Sequence, residues 1–286
     1  MKARDLLRLA RVGNALMAGL GAVVGGVVVA SPVPWMRLLF AFLATAFVAA
    51  YGNTLNDLAD RDLDRVAHPN RPLPSKRVTP KQAESALIGF ASIGLVCAVL
   101  AGGYALLAFA AVNVGLLYAY ERWLKTRGLA GNALVALLVA STFVFGAAAT
   151  GAPFVQWLPA ATLAFLAFMS NLGREVLKDV EDADADRGHR RTVALKLGPR
   201  RAAQGALFPI VVACSTGASF ALHAPSAWWR GFPAMLLAAV LVLAAGGIVG
   251  LRRASLGQRL LKAGMAIALL AFLSGPLVPL LLARMS

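Results

Sequence analysis

The chain has 286 residues, 59% hydrophobic and only 14% charged, with a formal net charge of +15. Soluble domains carry about 25% charged residues, so an ordinary soluble globule is excluded. A basic excess suggests nucleic acid where the cations form one patch; here they are spread over the connections between apolar runs, and nucleic acid is not an expected partner.

In chain order the apolar runs are 12–31, 38–56, 83–101, 103–121, 131–151, 157–175, 203–222, 232–251 and 263–283. About 17–25 apolar residues cross a bilayer as helix. The third and fourth runs form one long stretch, divided at the turn signal Gly102-Gly103. The first run follows a basic start, but eight more follow it, so it is read as a retained helix and not a signal peptide. The expected fold class is an all-α membrane protein with nine transmembrane helices, forming one domain over residues 1–286.

Nine spans define ten flanking segments. The segments on the side of the N-terminus hold 25 of the 28 Lys and Arg residues, and the other side holds Arg37, Arg230 and Arg284. This is the positive-inside asymmetry. It predicts a cytoplasmic N-terminus in the cell membrane. Adding or removing one span scrambles the split.

The acidic residues are concentrated. Asp57, Asp60, Asp62 and Asp64 follow the second span as D-x-x-D-x-D-x-D. Asp179, Asp182, Asp184 and Asp186 follow the sixth with the same spacing, Glu181 standing among them. With Glu175 these windows contain ten of the thirteen acidic residues. A helix turns about 100° per residue, so offsets 0, +3 and +7 lie within about 60°. If the helices continue through the windows, Asp57, Asp60 and Asp64 share one face, as do Asp179, Asp182 and Asp186. Asn53 and Glu175 lie one turn earlier on the same faces. Asp62 and Asp184 point away; they either bind metal or solvate the helix ends.

Like carboxylates this close repel one another. A bound cation removes the repulsion. The ligands are all hard oxygens, which favours Mg²⁺, with Mn²⁺ as the variant, over Zn²⁺. Mg²⁺ typically links carboxylates to substrate phosphates. The cations beside the windows fit a diphosphate: Arg71 after the first, Lys178 before Asp179, and Arg190 or Arg191 after the second. Arginine forks match phosphate oxygens and lysine supplies a point charge. Positive-inside topology and lipid headgroups also account for cations in such places. His68, His189 and His223 lack metal-ligand spacing and read as interfacial polar residues. Cys97 and Cys214 sit in apolar runs and read as packing residues.

At these residues the chain resembles the UbiA superfamily of intramembrane prenyltransferases. Asn56 to Asp64 is similar to the NDxxDxxxD motif, and Asp179, Asp182 and Asp186 to the second DxxDxxxD motif. The resemblance covers essentially the whole chain. Within the superfamily it extends to the branch that prenylates geranylgeranylglyceryl phosphate. Asn70 to Thr79 is similar to that branch's NRPxPSGxxS, Leu124 to Asn132 to its LKxxGLxGN, and Gly173 to Thr192 to its GREIxKDxEDxxGDxxxGxxT. Lys76 and Ala185 replace glycines of that pattern, Arg190 and Arg191 replace a smaller pair, and Val12 stands where Pro is common.

The resemblance implies a UbiA-like bundle and Mg²⁺ on Asn56, Asp57, Asp60, Asp64, Asp179, Asp182 and Asp186, with Asp60, Asp64, Asp182 and Asp186 as the catalytic carboxylates. It implies donor activation: the isoprenyl diphosphate loses its diphosphate, and a lipophilic acceptor attacks C1 of the prenyl chain. Arg11 and Asn14 match polar positions of the family cavity, or anchor and pack the first helix. Asn53 joins them as a substrate-facing residue. Lys125 and Asn132 match the branch motif and meet acceptor phosphate, or serve topology and a helix start. Tyr118, Tyr120, Phe143, Phe145, Phe165 and Phe168 either line a prenyl tunnel or pack against neighbours and lipid; none is assigned.

For the branch in question the acceptor is the free hydroxyl of geranylgeranylglyceryl phosphate and the product is an ether lipid. The alternative is an aromatic acceptor of hydroxybenzoate, naphthoate or homogentisate type. A transporter is the rival from another class. Transporter sites place ionisable groups near the midplane, and the interiors of the nine runs hold no Asp, Glu, Lys or Arg.

Overall fold

The apolar runs become long helices. A computed structural model describes residues 2–184, 191–224, 226–228 and 231–283. The helices are α1 (Ala3–Leu9), α2 (Val12–Val27), α3 (Trp35–Ala59), α4 (Asp64–Ala67), α5 (Pro80–Gly102), α6 (Tyr104–Ala119), α7 (Leu129–Thr150), α8 (Leu158–Glu181), α9 (Val193–Leu197), α10 (Pro199–Leu222), α11 (Phe232–Gly250) and α12 (Ala254–Ala283). Among the described residues there is no strand. Among the described residues eight helices are long and apolar enough to cross a membrane, and the bent α1–α2 pair makes a ninth if it counts as one span. Each expected run coincides with one of these elements. Gly103, at φ 77°, separates α5 from α6 at the expected dipeptide.

Local chemistry sets the ends. Pro80 opens α5, and Thr79 and Gln82 form a reciprocal capping box at its start, which satisfies two orphan donors. Thr192 caps α9 by accepting from the Leu195 N–H. The α1–α2 pair bends by 60°. Arg11 lies at the bend in the left-handed region, at φ 46°. Asn53 on α3 donates to the Ala10 carbonyl at 2.9 Å, so α3 braces this bend.

Helix packing closes the bundle. α2 packs on α3 and α7, α7 on α8, α8 on α10 and α12, and α12 returns to α11 and α2. α2 and α7 cross where Gly25 meets the Phe143 backbone and Gly146 meets the Ala22 carbonyl, leaving no room for a Cβ at either. The main core cluster includes Phe232, Phe272 and Trp228. Phe232 and Phe272 pack edge to face at 5.3 Å. Phe272 lies 14 residues beyond Gln258 on α12, about 21 Å at 1.5 Å per residue. This aromatic core therefore anchors the bundle far from the basic end, where both acidic windows emerge. Large apolar side chains such as Phe208 and Leu241 point outward at 73% and 71% exposure, as lipid-facing helices require.

Candidate active site

The first window does not continue as one helix. α3 ends at Ala59 and Asp60 is its C-cap. The Asp60 N–H still reaches the Asn56 carbonyl at 2.9 Å, and the Asp64 N–H reaches the Asp60 carbonyl at 2.8 Å. The turn between them carries Asp64 to the start of α4. Asp57 and Asp64, both buried, consequently meet the same cation. Arg71 Nη1 lies 2.5 Å from Asp64 Oδ2 and 3.7 Å from Asp57 Oδ1. Arg11 also donates to Asp57 and, at 3.1 Å, to Asn56 Oδ1. Asp62 turns outward and pairs only loosely with Arg61 and Arg65, at 3.5 and 3.6 Å.

Asp60 takes a different partner. Lys125 Nζ donates to Asp60 Oδ2 and to Glu121 Oε2, both at 2.7 Å. Asn56 Nδ2 donates to Glu121 Oε1 at 2.9 Å. Glu121 stands on a π-helical turn, Tyr120–Leu124, that follows α6. Such wide turns redirect side chains and recur at functional sites. Glu121 lies outside both windows and no local pattern marks it; its only sequence signal is an acidic residue at the basic end of an apolar span.

The second window repeats the first. α8 ends at Glu181 with Asp182 as C-cap. Asp179 accepts from Asn132 Nδ2 at 2.8 Å. Glu181 accepts from Gln258 on α12. Asp186 and Arg190 lie outside the described residues. Arg191 is exposed. Its carbonyl passes close to Gly128, where an added Cβ would sit 2.8 Å from it at a φ of 58°. The connection between α6 and α7 is thus laid directly against the segment after the second window.

That connection joins the two acidic ends. Lys125 at its start holds Asp60, and Asn132 in the first turn of α7 holds Asp179. Both expected residues are engaged with carboxylates in this structure.

Above the carboxylates opens a cavity of about 930 Å³, within the usual range for small-molecule sites. Its mouth is polar: Arg11, Asn14, Asn53, Asn56, Glu121 and Lys178 line it. Its depth is apolar, with Phe109, Phe143, Phe145, Leu163 and Leu236. Of the aromatics left unassigned, Tyr120, Phe143 and Phe145 face it. Sequence reasoning missed Arg174, which donates to Glu175, and Gln258 and Lys262 from α12. The last two are brought in only by the ring closure of α12 onto α8 and α2.

The donor set suits a hard divalent cation. It is all carboxylate and amide oxygen, without thiolate or imidazole, which matches Mg²⁺. Among the described residues no three His, Cys, Asp or Glu side chains converge as a ready-made metal cage. Arg11, Arg71 and Lys125 instead neutralise Asp57, Asp64 and Asp60. Carboxylates balanced by side-chain cations have the chemistry to take a metal and an anion together.

Residues 18–274 match the UbiA prenyltransferase family. The chain is 38% identical over 274 residues to the digeranylgeranylglyceryl phosphate synthase of Methanopyrus kandleri, covering 95% of this chain and 98% of that protein. It is 38% identical over 285 residues to the synthase of the same name from Halobacterium salinarum, covering 96% and 98%. A solved structure concerning digeranylgeranylglyceryl phosphate synthase in membranes superposes with TM-score 0.77 at 28% identity, over 96% of this chain and 98% of that one. A UbiA homologue from Archaeoglobus fulgidus bound to GPP and Mg²⁺ shares the fold, with TM-score 0.67 at 20% identity, over 92% and 99%.

Proposed function

The chain belongs to the UbiA prenyltransferase family, a multi-pass membrane enzyme, and from that premise we propose that it makes an ether lipid. It transfers a geranylgeranyl group from its diphosphate to the hydroxyl of geranylgeranylglyceryl phosphate. One observation carries the reading: a single connection, Lys125 to Asn132, ties both carboxylate-bearing helix ends together, and Asn56, Glu121 and Lys178 beside those ends line a cavity with an apolar depth. A diphosphate with a long hydrocarbon tail is the ligand class that such a two-toned cavity fits. The relatives named as digeranylgeranylglyceryl phosphate synthases supply the acceptor.

Mg²⁺ is the cofactor of this proposal, and the A. fulgidus fold neighbour binds it with GPP. Asn56, Asp57, Asp60 and Asp64 would hold it on one side, and Asp179, Asp182 and Asp186 on the other. When bound it withdraws charge from the diphosphate as a Lewis acid. The side chains of this chain do the rest. Arg11, Arg71, Lys125, Lys178, Arg190 and Arg191 bind phosphate oxygens and stabilise the leaving charge. Asn14 and Asn53 orient the polar end of the substrates at the mouth. The apolar depth receives the prenyl chain and excludes water. The C1–O bond breaks with its electron pair leaving on the diphosphate. The acceptor hydroxyl oxygen bonds to C1 and gives up its proton to the departing diphosphate.

Placement follows from charge. The 25-to-3 split of cations supports a reading in which the basic end, the N-terminus and the cavity mouth lie on the cytoplasmic side of the cell membrane. The α1–α2 pair then counts as one span, giving nine, and residues 1–286 form one domain.

The reading is tested with purified protein in liposomes supplied with geranylgeranyl diphosphate and a panel of acceptors. A prenyl ether of geranylgeranylglyceryl phosphate is expected. Turnover of hydroxybenzoate, naphthoate or homogentisate, with none of the glyceryl phosphate, contradicts it.

A further inference from the structure

A second cavity, about 460 Å³, lies beside the first. Arg8 and Arg11 line it from the N-terminal segment, His68, Asn70 and Arg71 from the connection after the first window, and the buried Asp57 stands between them. Pro69 and Pro72 complete the lining. The prolines and the arginine stems give the cavity apolar walls, and its polar groups are the guanidiniums, the His68 imidazole, the Asn70 amide and the Asp57 carboxylate. Its lining sets three guanidiniums against one carboxylate, and Arg11 and Arg71 already share that carboxylate. Among the described residues the Arg8 and His68 side chains make no hydrogen bond or ion pair. The cavity therefore has cationic donors to spare.

Arg11 lines both cavities. It sits at the 60° bend between α1 and α2, held there by its bonds to Asn56 and Asp57. A ligand in the small cavity thus lies one guanidinium away from the mouth of the large one. Lys125 and Asn132, the other candidates for an acceptor phosphate, are bound to Asp60 and Asp179.

We propose that the Arg8, His68 and Asn70 side of this cavity is a phosphate-monoester subsite for the acceptor headgroup, adjoining the diphosphate site with which it shares Arg11, Asp57 and Arg71. Arg8, His68 and Asn70 are its specific residues and Arg11 is the wall it shares with the large cavity. A monoester carries about −1.5 to −2 charge at neutral pH and three strong acceptor oxygens, which arginine forks match. The assignment of the ligand to the acceptor rests on the function proposed above; the phosphate site itself rests on the cavity.

The test uses full-length protein in phosphatidylcholine nanodiscs with Arg8→Gln and Arg8→Gln/His68→Asn. Steady-state kinetics give KM for geranylgeranylglyceryl phosphate, for geranylgeranyl diphosphate and for the phosphate-free alcohol geranylgeranylglycerol. Loss of a charge-assisted contact raises KM for the phosphorylated acceptor about tenfold. KM for the diphosphate stays within about twofold, and KM for the alcohol is the same in variant and wild type. In a separate arm without turnover, glycerol 1-phosphate raises the Tm of the wild type and not of the double variant. If the wild type makes the ether and the double variant keeps its KM, the subsite is wrong while the function stands. If the wild type makes no ether but the Arg8-dependent Tm shift persists, the phosphate site stands and the acceptor reading falls. If phosphatidylglycerol in the nanodisc gives the Arg8-dependent shift and glycerol 1-phosphate does not, the cavity holds a bulk lipid headgroup and the assignment to the acceptor is overturned.

Discussion

Asp60 and Asp182 end their helices in the same backbone conformation, φ −88°, ψ 7° and φ −87°, ψ 2°. Each donates its N–H to the carbonyl four residues earlier, Asn56 and Lys178, at 2.9 Å. The sequence repeat is therefore also a structural one. In both windows the first Asp belongs to the last helical turn and the second Asp is the C-cap. One connection, from Lys125 to Asn132, then touches both.

The link through Lys125 gives the first prediction. Its side chain is 9% exposed and Asp60's is 16%, so removing the cation leaves Asp60 and Glu121 facing each other. Breaking a buried pair from one side costs about 3–5 kcal/mol. Lys125→Met is expected to lower the Tm and to reduce kcat by about a hundredfold or more. Thermal unfolding and turnover on the same preparation check both.

Asn132→Ala removes one neutral donor from Asp179. A stability loss of about 1–3 kcal/mol is expected, smaller than for Lys125→Met. Comparing the two variants by thermal unfolding orders the bridge by charge.

Gly128 holds a φ of 58° with the Arg191 carbonyl in the path of any Cβ. Gly128→Ala is expected to destabilise by at least about 1 kcal/mol. It also loosens the contact between the bridge and the segment after the second window. Increased proteolytic cleavage after Arg191 is the accompanying readout.

Asp62 is the control. Its side chain is 69% exposed and its ion pairs are long. Exposed pairs of this kind contribute about 0–1 kcal/mol. Asp62→Asn is expected to keep both Tm and turnover near wild type, whereas a large loss of turnover assigns Asp62 to the metal.

Much of this was legible in the sequence because hydropathy is local. Each apolar run coincides with a helix, and the Gly102-Gly103 break lies where the turn chemistry puts it. The windows were legible because acidic residues are so scarce elsewhere. Helical phase was a less complete guide. It grouped Asp57 with Asp64, which do share Arg71, but the helix stops at Ala59 and Asp60 turns to Lys125 instead. Glu121, Arg174, Gln258 and Lys262 were not found. Glu121 reaches the site through a π-turn, and Gln258 and Lys262 through packing of α12 on α8, neither of which leaves a periodic trace; Arg174 lies on α8 beside Glu175. The bend at Arg11 was hidden for a related reason: a left-handed arginine has no composition signal, and its stabilising partners Asn56 and Asp57 lie 45 and 46 residues away.

Removal of divalent metal is expected to stop turnover in EDTA, with recovery on adding Mg²⁺ and partial recovery with Mn²⁺. Hard-oxygen ligands account for that order. Full activity in chelator contradicts the metal assignment.

The most direct test of a shared diphosphate site is a double-mutant cycle on Asp60 and Asp182. Ether-lipid formation from geranylgeranyl diphosphate is measured for Asp60→Ala, Asp182→Ala and the double variant, with folding verified by membrane insertion and Tm. If both helix ends act on one diphosphate, each single variant falls to background and the double is no worse, the non-additivity expected of groups acting as a unit. Retained turnover in both single variants, or losses that simply multiply, contradicts a joint site.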